Sequence, residues 1–103
     1  MIEASRDALS FINDKTRQDL DDNKMLRLSL VRCIEIIGEA ASKLSVDCQS
    51  EFPTIQWKNI INMRNRLIHA YYDINLDTVW STITMDLPPL ITELEKILLS
   101  TEK

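Results

Sequence analysis

The chain is poor in residues that break or bend a backbone: 103 residues hold one Gly and three Pro. A sandwich or barrel of many short strands needs frequent turn signals, so the scarcity points to an all-α domain. There is one His. That excludes a metal site built from two or three imidazoles of one chain, a zincin helix among them. The two cysteines, Cys33 and Cys48, form no Cys-x-x-Cys, which argues against a zinc or redox motif. Cys33 lies in an apolar run and reads as a small core residue. No apolar stretch approaches the ~20 residues of a membrane span. The first residues, with Glu3 and Asp7, lack a basic-then-apolar leader pattern. The expectation is a cytoplasmic chain with no membrane partner.

What is present suits one ordinary domain, with 45% hydrophobic and 27% charged residues. Ile2 to about Asn13 reads as a short helix with Ala4, Ala8, Leu9, Phe11 and Ile12 among its apolar positions. The acidic stretch that follows, through Asp22, fits helix or loop equally and reads as a solvated face. The next segment is the clearest. Leu26, Leu30, Cys33, Ile37, Ala40 and Leu44 step by four, three, four, three, four, the seam of a packed helix. A second stripe of Val31, Ile34 and Ala41 makes this helix apolar around much of its circumference. Such a helix is central in a bundle or sits at a subunit interface. Gly38 inside it costs about 1 kcal/mol relative to Ala, and with Ala40 and Ala41 it would admit a second helix closely.

Phe52-Pro53-Thr54 marks a break, with Thr54 as the expected cap of a third helix running to about Ala70. Ile55, Lys58, Ile61, Asn62 and Asn65 share one side of it. Trp57, Ile60, Met63 or Arg64, Leu67 and Ile68 form the apolar side. Tyr71 to Asn75 reads as a turn. Leu76 to about Thr84 reads as a short helix with Val79, Trp80 and Ile83 inward. Asp86 is the expected cap of a last helix that tolerates Pro88 and Pro89 in its first turn. Its apolar stripe is Leu87, Leu90, Ile91, Leu94, Ile97 and Leu98. The sum is an antiparallel bundle of four to five helices. So small a bundle buries a limited core, and the apolar second helix predicts a homodimer with that helix in or near the interface. The alternative is a monomer with a closed five-helix core.

Charge is uneven along the chain. Phe52 to Tyr72 contains Lys58, Arg64 and Arg66 and no acid, so this +3 within a net −4 leaves −7 elsewhere. The sole His, His69, lies at the end of this basic segment. On a helix Arg64 and His69 are about 140° apart and about 7.5 Å along the axis, so they converge only if the helix end bends or a second chain completes the site. Their chemistry suits phosphodiester cleavage without a metal. A His titrating near neutrality exchanges a proton with a ribose 2′-hydroxyl or a leaving oxygen. An Arg fork binds phosphate oxygens and stabilises developing charge. One His cannot easily be both acid and base, whereas two copies across a dimer can. Taken by itself, an Arg-x-x-x-x-His spacing equally fits a surface Arg and a His satisfying a helix-end carbonyl.

The motif Arg64-x-x-x-x-His69-x-Tyr71 resembles the signature of the HEPN superfamily, specifically the HepT-like ribonuclease toxins. Ile34 to Ala41 resembles that family's central helix, and Phe52-Pro53 through Trp57, then Met63 to His69, resembles its catalytic helix. Leu76-Asp77-x-Val79-Trp80 and Asp86-Leu87-Pro88 resemble its C-terminal part. The likeness covers about Leu28 to Leu94. It implies a helical bundle that dimerises and places Arg64 and His69 of both chains in a composite cleft. It implies metal-independent endoribonuclease activity with no cofactor. It also implies a toxin–antitoxin pair, in which a minimal nucleotidyltransferase of the MntA type adenylylates Tyr71. The added bulk and negative charge would lie where RNA phosphate must sit. The chain departs from the usual pattern with Asn62 and Ala70 where Gly is frequent, and with a shorter first helix.

Other residues divide between roles. Asn65 either bonds phosphate or orients His69, or is solvated. Arg66 and Lys58 either guide RNA phosphate or are plain surface charges. Glu35 and Glu39 either pair with Arg64 or Arg66 or face solvent. Tyr72 is a second candidate for the modified tyrosine. Trp57 and Trp80 read as core. A rival to the nuclease is a non-catalytic nucleotide- or partner-binding module associated with a nucleotidyltransferase. A purely structural dimer would leave the sole His in the only basic segment without a reason.

Overall fold

The computed structural model describes the backbone of residues 1–69 and 75–101, and the side chains of residues 1–67 and 75–97. Within them the chain is helix and turn, with no strand. The long elements are α1 (Ile2–Phe11), α3 (Lys24–Ser42), α5 (Trp57–His69) and α7 (Leu87–Thr101). Short ones intervene: α2 (Arg17–Asp22), α4 (Val46–Ser50) and α6 (Leu76–Ser81). The all-α bundle expected from the pattern is the observed architecture.

The acidic stretch resolves into a turn and a helix. Asp14 ends the first at φ 62°, a left-handed conformation that a short polar side chain tolerates. The Asp19 carboxylate then accepts from the Thr16 backbone N–H at 2.6 Å, starting α2. On α2, Leu20 is fully buried while Asp21 and Asp22 face solvent. Arg17 reaches Asp21 at 3.1 Å and Asp77 at 2.7 Å, joining α2 to α6. Asn23 caps α3 by accepting from the Leu26 N–H at 3.0 Å.

Helix α3 is the centre of the bundle, packed on α1, α2 and α5. Most of both expected stripes is inside: Leu26, Leu30, Val31, Cys33, Ile34, Ile37 and Ala41 are buried, while Ala40 and Leu44 of the seam are half-buried. Cys33 and Cys48 are free thiols. Burial pushes the Cys33 thiol up from its ordinary pKa, with the charge of Asp7 adding to the effect. The outer face of α3 keeps Met25, Leu28 and Ile36 exposed.

After Ser42 the chain makes one helix that the periodicity does not signal. Ser45 caps α4 by accepting from the Cys48 N–H at 3.0 Å. Gln49 of α4 donates back to the Ala41 carbonyl at 3.1 Å, and the Trp57 indole donates to the carbonyls of Gln49 (3.0 Å) and Phe52 (3.2 Å). Thr54 does not cap the third helix. That helix starts at Trp57, and the Thr54 hydroxyl instead bonds Glu93 of α7 at 3.4 Å. The start of α5 lies by the end of α3, and Arg64 lies by Gly38. The two helices therefore run antiparallel.

Asp86 does not cap the last helix either. Helix α6 passes without a break into a π turn, Thr82–Asp86, and on into α7. The Leu87 N–H bonds the Thr82 carbonyl, five residues back. Pro88 and Pro89 lack the N–H groups that would continue the α ladder, and a π turn absorbs that irregularity without ending the helix. Hydroxyls occupy carbonyls here: Thr82 bonds Thr78 at 2.9 Å and Thr84 bonds Trp80 at 2.8 Å. Val79, Ile83, Leu87 and Leu90 are buried, with Trp80 and Leu94 half-buried against them. The inward positions expected at Ile68 and Leu98 lie outside the described side chains.

Gly38 marks where α3 and α5 touch. A Cβ there would overlap Arg64 Cβ, lie 2.7 Å from Arg64 Cγ and come within 3.2 Å of the Ile60 carbonyl. Neither Arg64 atom is the far end of a flexible chain, so the helix itself must shift. Overpacking of this kind costs about 1–3 kcal/mol, against about 1 kcal/mol gained from the better helix former. Gly38→Ala is expected to lower the melting temperature, by roughly 5–10 °C for a net loss of about 1–2 kcal/mol. A melting temperature that rises, followed by circular dichroism, would show that the two helices are not in such close contact.

Candidate functional site

Helix α5 is built to hold an arginine against the core. Trp57, Ile60, Met63 and Leu67 are buried on it. Arg64 stands four residues after Ile60, on the same face. Its aliphatic stem lies in the notch left by Gly38, so the charge is carried on a stem that cannot swing freely. Arg64 is half-buried. Its Nη1 donates to Asn65 Oδ1 at 2.9 Å. Its Nε is buried and has no hydrogen-bond partner among the described residues. A buried charged donor left unpaired costs about 1–3 kcal/mol or more, a cost that an anionic acceptor would remove.

The acidic residues of α3 do not hold Arg64. Glu35 pairs with Arg32 of its own helix at 3.4 Å, and Glu39 with Lys43, just past the helix end, at 3.6 Å. The residue that orients the guanidinium is Asn65, a neighbour in sequence.

Beside α5 lies a cleft of about 600 Å³. Asn59, Asn62, Met63, Asn65 and Arg66 line it from α5; Thr78, Ser81, Thr82 and Asp86 line it from α6 and the π turn. Asn65 thus faces the cleft while holding Arg64. Arg66 is exposed at the cleft. Lys58 is exposed on α5 and is not part of the lining. His69 is the last residue of α5, seven after Asn62. Its α-carbon is therefore about 20° round from that of Asn62 and about 10.5 Å further along the axis. The His69 side chain, and Tyr71 and Tyr72 altogether, lie outside the described residues. Trp57 is core, as expected, and Trp80 is half-buried at the edge of the core.

Several lining residues carry no signal in the one-dimensional pattern. Asn59, Thr78, Ser81 and Thr82 belong to no motif. The one usable sign is a carboxamide at every third position, 59, 62 and 65, on one side of a helix otherwise apolar on its other side. Among the described residues no group of three His, Cys, Asp or Glu side chains could cage a metal ion. No helix among them is long and apolar enough to cross a membrane.

The family model described as Ribonuclease HepT-like matches residues 1–97. The chain is 34% identical to "Putative RNase MJ0125" of Methanocaldococcus jannaschii, over 94% of this chain and 84% of that one. It is 34% identical to "Putative RNase MJ1216" of the same organism, over 95% of this chain and 81% of that one. It is 32% identical to "Probable ribonuclease HepT" of Thermococcus cleftensis, over 93% and 91%. No solved structure matches the chain.

Burial raises the Asp86 carboxyl above its usual pKa, and a hydrogen bond with Asn59 opposes part of that rise. The folded chain then holds this proton more tightly than the unfolded chain. In the window between the unfolded carboxylate value, about 3.9, and the raised folded value, stability falls as pH rises. Asp86→Asn keeps an acceptor for Asn59 without the charge. The variant is expected to be more stable than the parent at pH 7, with the difference shrinking below about pH 4. Urea midpoints at the two pH values measure this. A variant no more stable at pH 7 would show that the surroundings favour the charged form.

Proposed function

Because the chain belongs to the HepT-like ribonuclease family, we propose that it is a metal-independent endoribonuclease, working as a homodimer and serving as the toxin of a toxin–antitoxin pair. Arg64 binds the scissile phosphate through its guanidinium. His69 accepts the proton of the ribose 2′-hydroxyl, O2′ attacks phosphorus, and the bond to the 5′-oxygen breaks. The partner's His69 gives that oxygen a proton. The products are a 2′,3′-cyclic phosphate and a 5′-hydroxyl, and the step needs neither metal nor oxidant.

The observation that carries this reading is the state of Arg64. It is half-buried, oriented by Asn65, packed on Gly38, and has a buried Nε that no acceptor among the described residues satisfies. A surface arginine has no need of such a seat. The roles of His69 and Tyr71 rest on the motif Arg64-x-x-x-x-His69-x-Tyr71. A homodimer is supported by the exposed stripe of Met25, Leu28 and Ile36 on α3, which recurs on one helical face. Two copies would supply the acid and base that one His cannot. Arg66, at the cleft, and Lys58, on the same helix, add positive potential along the path of RNA. Tyr71 is the acceptor of AMP from a nucleotidyltransferase antitoxin, and the adenylyl group blocks phosphate there by charge and bulk.

RNA should be degraded by the purified chain in EDTA, and His69→Ala should lower the rate by at least about a hundredfold, the usual worth of an acid–base group. Arg64→Lys should lower it as well, because an ammonium cannot make the guanidinium's forked contact. Tyr71→Phe should remain active but escape silencing when the antitoxin and ATP are present, with no adenylyl mass increment. Cleavage unchanged in His69→Ala would overturn the mechanism. A dimer that binds the antitoxin and leaves all RNA intact would establish the rival binding module.

A further inference from the structure

The cleft beside α5 is larger and more selective in its chemistry than a phosphate site requires. At about 600 Å³ it falls within the ~300–1,000 Å³ of cavities that enclose a small organic ligand. Its lining holds the amides of Asn59, Asn62 and Asn65, the hydroxyls of Thr78, Ser81 and Thr82, one cation and one carboxylate. Arg66 and Asp86 balance in charge, so a polyphosphate is poorly served. Carboxamides instead suit a flat neutral ring with donors and acceptors along its edge. Met63, the one large apolar side chain of the lining, is almost wholly buried and forms the floor of the cleft on the core side.

The cleft is also joined to the candidate phosphate site. Asn65 lines it and accepts the hydrogen bond from Arg64. The helical register carries the stripe of Asn59, Asn62 and Arg66 on to position 69. Through Asn65 the Arg64 guanidinium abuts the cleft, so a phosphate held there would lie at the cleft's edge.

We infer that this cleft is a base-reading pocket, in which Asn59, Asn62 and Asp86 of its lining select an amino-bearing nucleobase of single-stranded RNA beside the scissile phosphate. The amides of Asn59 and Asn62 donate to ring nitrogens or carbonyls, and Asp86 accepts from the exocyclic amino group. Uracil, with no amino group, is disfavoured. The pocket's link to cleavage rests on the ribonuclease reading above, whereas its binding preference does not.

The test is binding first and cleavage second. Four trinucleotides differing only in the central base are titrated into the His69→Ala chain, with and without Asn62→Leu. Asn62 is exposed, so the fold should tolerate the change, and thermal unfolding checks it; Ser81→Val, also at an exposed lining position, is the second variant. The expected result is tighter binding of one amino-bearing base, with the advantage over uracil reduced about tenfold or more by Asn62→Leu, as for loss of a paired base contact. Equal binding of all four bases, or a preference untouched by both variants, overturns the pocket. Cleavage sites on a mixed RNA pool then separate the two readings. Preference lost in binding with no cleavage by the parent leaves the pocket and removes the nuclease. Cleavage with the same sequence preference in parent and Asn62→Leu removes the pocket and leaves the nuclease.

Discussion

One close contact determines where the charge of Arg64 can sit in this bundle. Gly38 is buried in α3 at the point where Arg64 of α5 crosses it, and no side chain fits between them. A long charged residue on a buried face is ordinarily a liability, since desolvating its charge is expensive. Here the missing Cβ leaves room for the stem to run along the α3 backbone, and Asn65 receives the head. The price of Gly in a helix interior is about 1 kcal/mol, and α3 buries more residues than any other helix among the described residues. A strong helix seam around the notch is what lets the notch exist.

The cleft depends on a second irregularity. Two successive prolines near the start of α7 remove N–H groups from the ladder, and the chain answers with a π turn. A wider turn displaces the residues it carries relative to an α course. The same stretch supplies Thr82 and Asp86 to the cleft, while Thr78 and Ser81 come from the helix just before it. Thr82 also bonds the Thr78 carbonyl at 2.9 Å, so the wall is braced from within. The opposite wall is α5, whose own position is set by Gly38. The cleft is therefore a consequence of two departures from regular helix, on two different elements.

Much of this was legible in one dimension, because packing leaves a period. The α3 seam, the close contact at Gly38, the inward Val79 and Ile83, and the isolation of positive charge around Arg64 and His69 all follow from spacing and composition. The helix ends were less legible. Thr54 and Asp86 have the chemistry of caps, but a cap requires the chain to turn there. The hydrogen bonds of Trp57 to Gln49 and Phe52 delay α5 to Trp57, and the π turn lets the chain pass Asp86 as continuous helix. Helix α4 is too short to show a period; its cap at Ser45 is visible only once the fold returns it to α3. The cleft was least legible, since its two walls are separated in sequence and Asn59, Thr78, Ser81 and Thr82 of its lining belong to no motif.

The separation of Arg64 from His69 around α5 can now be given a structural reason. Arg64 must face α3, because its stem fills the Gly38 notch. Position 69 follows the register of Asn62 and Arg66, which line the cleft on another side of the helix. Moving Arg64 by one residue to meet that register would take its stem out of the notch. Asn65 resolves part of the conflict: it belongs to the cleft, and it draws the guanidinium around the helix from the buried side. What remains is an arginine whose Nε has no acceptor among the described residues and a helix end carrying the only imidazole of the chain. Arg64 and position 69 thus keep to different sides of one continuous helix, about 140° apart, because the first is held by the Gly38 notch and the second follows the cleft register.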